Sequence, residues 1–375
     1  SCLLYNTAWR KLKANFSKPQ YLCCSLCTLN RPHFYCARLD GGGIFRYNQE
    51  KHGEMGEWTM YYLGVDLGGT NIACAVVDRQ GKILGKASIP TGLPAAPETI
   101  ARRMAECCRR AVEQAGCAME EIGSVGVGTP GIANARDGVV EYSCNLGFSD
   151  TPLAGLVEAQ MHKPVYLEND ANAAALGEFV AGSGRGSDSL VAVTLGTGIG
   201  GGVVMNRRLL TGFNFAGGEI GHFVMVEDGE PCGCGRRGCF EAYCSATALI
   251  RQTRQAMENA PDSLMWREAG ALEAVNGQTA FSAMEQGDKA AREVVDAYIR
   301  HLACGLTSVV NIFQPEVLCV GGGVGNQGET LLKPVREIVD REDYARASRR
   351  RTRIVPAELG NDAGIIGAAL LPLYR

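Results

Sequence analysis

From residue 60 onward, short apolar runs alternate with glycine-rich turns and with longer stretches of helical period. Residues 61–66, 71–78 and 82–89 are compact apolar runs, which predicts three strands joined by tight turns, one of them at Asp78-Arg79-Gln80-Gly81. Apolar positions at Ile100, Met104, Cys107, Cys108 and Ala111 predict a helix over 98–115. A strand at 124–127 runs into Gly128-Thr129-Pro130-Gly131, and another at 164–167 feeds Glu168-Asn169-Asp170 and an alanine-rich helix. A second cycle follows: strand 189–195, glycine turn, strand 201–205, a long helix at 288–313, strand 316–320, a third glycine run at 321–325 and a closing helix near 362–371. The repeated unit of strand, glycine turn and strand predicts an α/β protein of two similar lobes with a cleft between them. The expected division is a small lobe over 60–173, to which 361–375 return, and a large lobe over 174–360.

Residues 1–59 break this pattern. They are basic, rich in cysteine and aromatic residues, and carry no sustained period. They are read as a disordered extension or as the product of a mis-assigned start, with Met60 or Met55 as the native first residue. The competing reading is a zinc module built on Cys23, Cys24, Cys27, His33 and Cys36, but the second half of a paired CxxC pattern is absent.

Composition narrows the class. Hydrophobic residues are 46 % of the 375, enough for sizeable cores, and the net charge of −3 gives no pull toward nucleic acid or anionic membrane. No apolar run approaches the roughly 18 residues of a membrane span, and the start lacks the apolar core of a signal peptide. A cytoplasmic location is therefore expected, and the sixteen cysteines are read as reduced thiols. Cys74, Cys304 and Cys319 lie in apolar stretches and are expected to be buried; Cys244 is assigned to packing.

The glycine turns suggest phosphate binding. In Asp66-Leu67-Gly68-Gly69-Thr70, two glycines let backbone amides approach an anion, Thr70 adds a hydroxyl, and Asp66 at the strand end suits Mg²⁺ or its water shell. A second turn carries Gly196, Thr197 and Gly198, and a third Gly321, Gly322 and Gly323. A lone glycine turn is more often a plain hairpin, but three after strands point to a nucleotide. None carries the P-loop lysine or a Rossmann setting.

Asp170, between a strand and a helix, reads equally as a helix cap or as a carboxylate poised for base chemistry. His222, Cys232, Cys234 and Cys239 have the composition of a closed tetrahedral zinc site, and the glycines at 233, 235 and 238 let a short loop fold around an ion.

Taken together, DLGGT at 66–70, GVGTPG at 126–131, LENDANAAALGE at 167–178, TLGTGIGGG at 194–202, GGEIGH at 217–222 and CGCGRRGCFEAYCS at 232–245 resemble the ROK family of sugar kinases, almost end to end from residue 60. The resemblance implies the two-lobed actin/hexokinase-like (ribonuclease H-like) ATPase fold, ATP and Mg²⁺ as nucleotide and cofactor, and a structural Zn²⁺. It implies that Asp170 takes the proton from a sugar 6-hydroxyl, and that Asn169, Glu219, His222 and Glu241 contact the sugar, with Asn145 and Gly131 beside them. His222 would then bind zinc through one ring nitrogen and a sugar hydroxyl through the other. GGEIGH followed by the cysteine cluster is most similar to the glucokinase branch, with glucose as the expected hexose and N-acetylmannosamine as the runner-up. A homodimer or homotetramer is implied. The family also holds sugar-responsive repressors with an N-terminal helix-turn-helix, a pattern that residues 1–59 lack; a catalytically silent sugar binder is disfavoured by Asp66, Asp170 and the three turns.

Overall fold

The computed structural model describes residues 60–374. Strands β1 (Tyr61–Leu67), β2 (Asn71–Val77) and β3 (Ile83–Pro90) form an antiparallel meander. The β2–β3 turn is set by Asp78, whose Oδ1 accepts the amides of Gln80 and Lys82, both at 2.9 Å. Helix α1 (Pro97–Ala115) opens with a proline, where no intrahelical donor is needed, and stops at Gly116 in the left-handed region. It buries the predicted stripe of Ile100, Met104, Cys107, Cys108 and Ala111 against β2 and β3.

Strand β4 (Ile122–Thr129) lies parallel to β1. A small three-stranded sheet, β5 (Ile132–Asn134), β6 (Val139–Ser143) and β7 (Phe148–Thr151), and helix α2 (Leu153–Met161) intervene before β8 (Val165–Asn169). The first large sheet therefore runs β3-β2-β1-β4-β8, and helix α3 (Asp170–Ala181) leaves directly from its last strand.

The second half repeats the plan. β9 (Leu190–Leu195), β10 (Ile199–Met205) and β11 (Arg208–Leu209) form a second meander. Helices α4 (Glu241–Cys244), α5 (Ala246–Asn259), α6 (Met265–Ala269), α7 (Thr279–Glu285) and α8 (Lys289–Phe313) follow. Then come β12 (Val317–Gly321), α9 (Gly322–Gly325), α10 (Glu329–Glu342), β13 (Arg353–Pro356) and α11 (Ala363–Leu370). The second sheet runs β11-β10-β9-β12-β13, again a meander followed by two parallel strands.

The third glycine run departs from the hairpin form of the other two. It becomes the single helical turn α9, with Gly322 in the left-handed region against the Leu195 backbone.

Helices α3 and α11 cross at very short range. A Cβ on Gly177 would overlap the Ala363 carbonyl, and one on Gly367 the Ala173 carbonyl, so only glycine admits the crossing. α3 also packs on β10, which holds its N-terminus between the two sheets. At its other end the carboxylate of Glu178, 2 % exposed, accepts the amides of Ser183 (3.0 Å), Glu358 (3.0 Å) and Leu359 (2.8 Å) and the Ser183 hydroxyl (3.1 Å).

Cys74, Cys244 and Cys319 are buried as expected, but Cys304 is exposed. It lies on α8, whose buried stripe passes through Leu302, Ala303, Gly305 and Leu306 and leaves position 304 outward. An apolar neighbourhood in sequence does not fix the face of a helix. The readings of residues 1–59, including the Met55 or Met60 start and the Cys/His module, lie outside the described residues. Among the described residues no helix is long and apolar enough to cross a membrane.

Candidate active site

The first glycine turn follows β1. Gly68 donates its amide to the Asn71 carbonyl (3.0 Å), closing the turn. The Gly68 amide is therefore occupied within the turn. The amides of Gly69 and Thr70 have no partner among the described residues and are the ones available to an anion. On the reverse side, Thr91 donates its hydroxyl to the Gly68 carbonyl (2.7 Å) and its amide to the Thr70 carbonyl (2.8 Å).

The second turn, between β9 and β10, is built alike. Gly196 donates its amide to the Gly198 carbonyl (3.0 Å), so it too is unavailable, while Thr197 and Gly198 present theirs. Ala246 donates its amide to the Gly196 carbonyl (2.8 Å), and Thr247 its hydroxyl to the Thr197 carbonyl (2.8 Å). The next amide, of Ile199, donates to Glu241 Oε2 at 2.8 Å. Gly321 pairs in register with Thr194, so Gly321, Gly322 and Gly323 lie beside this second turn.

Asn169, not Asp170, caps α3. Its Oδ1 accepts the amides of Ala171 (2.9 Å) and Asn172 (3.2 Å), and its Nδ2 donates to the Gly131 carbonyl (3.2 Å). Asp170 occupies the first helical position, where its Oδ1 accepts the Ala171 amide at 2.8 Å. It is open to solvent on one side, yet the surrounding protein displaces enough water to raise its carboxyl above the ordinary value. Asp66, at the end of β1, is pushed up to about 6, first by burial and then by the nearby Asp170 charge. The Lys86 charge offsets this only in part, and two carboxylates sharing a site suit a divalent cation, which would lower both.

Other candidates converge on this N-terminus. The backbone of Asn145 lies beside Gly69, and Gly131 is tied to Asn169. Gly218, one residue before Glu219, lies against Asn172 of α3 and Gly201 of β10. Glu219 is exposed, and its carbonyl accepts the His222 amide in the short turn Ile220–His222.

His222, Cys232, Cys234 and Cys239 come together with all four donor atoms within 4.8 Å of one another. His222 Nδ1 is 3.6 Å from Cys232 Sγ, and Cys234 Sγ is 3.8 Å from Cys239 Sγ. A tetrahedral ion with metal–sulfur bonds of about 2.3 Å needs donor separations of roughly 3.6–3.8 Å, so the set fits a metal. Because Nδ1 faces the cluster, Nε2 is the ring nitrogen left for another partner. Glu241 Oε1 lies 3.5 Å from Cys232 Sγ, so one carboxylate joins the His/Cys cluster to the second glycine turn.

The ROK family profile matches residues 62–374. This chain belongs to the ROK family. It is 41 % identical to a glucokinase of Thermotoga maritima over 309 residues, covering 82 % of this chain and 95 % of that one. Among solved structures it resembles a ROK glucokinase of Streptomyces griseus in complex with glucose and AMPPNP, at 35 % identity and a TM-score of 0.69, covering 83 % of this chain and 98 % of that one. It also resembles a ROK hexokinase of Thermus thermophilus, at 36 % identity and 0.71, covering 83 % and 97 %. The expected two-lobed actin/hexokinase-like fold is thus the fold of this ROK protein.

Sequence reasoning passed over Thr91, Thr247 and Glu178. Glu178 had a signal, since it is the one acidic residue within the otherwise apolar stretch 173–181. Thr91 had none, because the carbonyl it holds lies 23 residues earlier in the chain.

Proposed function

We propose that this ROK protein is an ATP-dependent glucokinase that phosphorylates the sugar 6-hydroxyl to give glucose 6-phosphate. The observation that carries the reading is the division of labour at the start of α3: Asn169 performs the cap, which frees Asp170 for chemistry. Asp170 Oδ1 is held by the Ala171 amide, leaving Oδ2 to accept a hydrogen bond from the sugar hydroxyl. A carboxylate cannot deprotonate an alcohol in the ground state. Asp170 therefore orients the hydroxyl and receives its proton late, as bonding to the γ-phosphorus develops.

The two glycine turns supply amides to the ATP phosphates from both sheets, and Asp66 holds the Mg²⁺ water shell. Mg²⁺, when bound, neutralises developing phosphate charge. Glu219, Glu241, Asn169 and His222 Nε2 offer the donors and acceptors that a ring of hydroxyls requires, with Asn145 and Gly131 at the edge. His222, Cys232, Cys234 and Cys239 would hold a structural zinc ion that fixes the His222 ring and the loop carrying Glu241. We assign residues 60–173 and 361–375 to the smaller lobe and 174–360 to the larger, with closure on sugar excluding water. A cytoplasmic homodimer or homotetramer completes the reading.

A coupled ADP-release assay over hexoses and N-acetylhexosamines tests it. Glucose is expected to give the highest kcat/KM. A preference for N-acetylmannosamine would move the substrate assignment, and absence of turnover with every sugar would reject the kinase reading.

A further inference from the structure

The first two glycine turns are each pinned from behind by a threonine hydroxyl, and the pinned carbonyls belong to the same peptide units as the free amides. In a trans peptide the C=O of one residue and the N–H of the next point in opposite directions. Holding the Gly68 carbonyl therefore fixes the direction of the Gly69 amide, and holding the Thr197 carbonyl fixes that of Gly198. Thr91 holds the first at 2.7 Å and Thr247 the second at 2.8 Å. Thr91 is fully buried just after β3, and its own carbonyl accepts the guanidinium of Arg103, which also reaches the Gly92 carbonyl at 3.0 Å. Thr247 is the second residue of helix α5, after Ala246, whose amide holds the Gly196 carbonyl.

We infer that Thr91 and Thr247 are positioning residues that aim the Gly69 and Gly198 amides at the nucleotide phosphates, one for each sheet. Neither hydroxyl is offered to the nucleotide, because each is spent on a carbonyl behind its turn. The inference rests on the kinase reading, in which these turns bind ATP.

The test uses Thr91→Val and Thr247→Val in the full chain, with Thr91→Ser and Thr247→Ser as controls that keep the hydroxyl. The measurements are KM for ATP, Kd for ADP and Kd for glucose by calorimetry, and the thermal midpoint. Loss of one hydroxyl–carbonyl bond is expected to raise the nucleotide constants about 5–10-fold, with the serine variants close to wild type and glucose Kd unchanged. A valine variant that loses thermal stability yet keeps wild-type nucleotide constants would mark a purely structural threonine and overturn the inference. If Thr91→Val does not fold, the solvent-facing Thr247→Val carries the decision. A wild-type protein that binds no ADP would instead remove the kinase reading itself, a result distinct from active wild type with unaffected variants.

Discussion

Glu241 accepts the backbone amide of Ile199 at 2.8 Å through one oxygen and lies 3.5 Å from Cys232 Sγ through the other. A residue expected only as a sugar contact therefore also holds the turn assigned to ATP phosphates. Glu241→Ala should raise KM for both glucose and ATP, each by roughly tenfold or more, since it leaves the half-buried Ile199 amide without its acceptor. Glu241→Gln keeps a neutral oxygen for that amide. Its ATP KM should stay near wild type while glucose KM rises. Initial-rate kinetics with each substrate varied would check the split; a rise in glucose KM alone for the alanine variant would disconnect the two sites.

Because Asn169 makes the cap, replacing Asp170 leaves the helix start intact. Asp170→Asn is expected to lower kcat by about 10²–10⁴-fold, the range of a lost general base. Glucose binding should remain measurable by calorimetry, and far-ultraviolet dichroism should match wild type. Turnover within a few-fold of wild type would defeat the assignment of Asp170 as base.

Much of this was readable from the chain because glycine punctuates it. The strand–turn–strand cycles, α1 and α8 announce themselves through period and bounding residues. The Cys232, Cys234 and Cys239 cluster does so through spacing, with His222 completing the donor set. The small β5–β7 sheet did not, since strands of three to five residues are too short to establish a period. Asn169 and Asp170 both suit a cap by residue type, and only backbone geometry decides between them. Likewise the glycine pattern does not tell which amides of the two turns are engaged within them, as those of Gly68 and Gly196 are. Local patterns specify elements, whereas the direction of one amide or one helix face is set by packing from distant segments.

Asp66 carries a pH prediction. Its folded value of about 6 lies above the ordinary 3.8 because of burial and then Asp170. Such a raised carboxyl contributes stability that is present below the ordinary value and is lost as pH rises through 6. Asp66→Asn should therefore raise the Tm of metal-free protein at pH 7.5 by about 2–5 °C while abolishing turnover. In the wild type, kcat/KM should fall as pH drops through 6. Added Mg²⁺ should move that limb to lower pH, because the cation binds the ionised form. A limb unmoved by Mg²⁺ would separate Asp66 from metal binding.

The His/Cys cluster predicts a second metal dependence, distinct from Mg²⁺. Elemental analysis of purified protein should find about one zinc per chain. Extraction with a strong chelator, or Cys234→Ala, should lower Tm, and glucose KM should rise several-fold because His222 and Glu241 lose their support. Restoring Zn²⁺ should reverse the chelator effect and leave the Cys234 variant unrepaired. Metal-free protein with wild-type Tm and glucose KM would reduce the cluster to four unligated side chains.

Glu178 predicts the converse: large stability effects with intact chemistry. Its buried carboxylate binds three backbone amides and one hydroxyl, fastening the end of α3 to the segment that follows β13. Glu178→Ala strands those donors without acceptors, and the expected loss is about 3 kcal/mol or more. Glu178→Gln keeps one oxygen but turns an NH₂ toward N–H donors, so it should lose about 1–3 kcal/mol. Urea unfolding gives the stability, and kinetics at low temperature give kcat and both KM values for the folded fraction. Those kinetic values are expected to match wild type, since no atom of Glu178 reaches either glycine turn or Asp170. A fall in kcat larger than the loss of folded protein would place Glu178 in the coupling between α3 and the reacting groups.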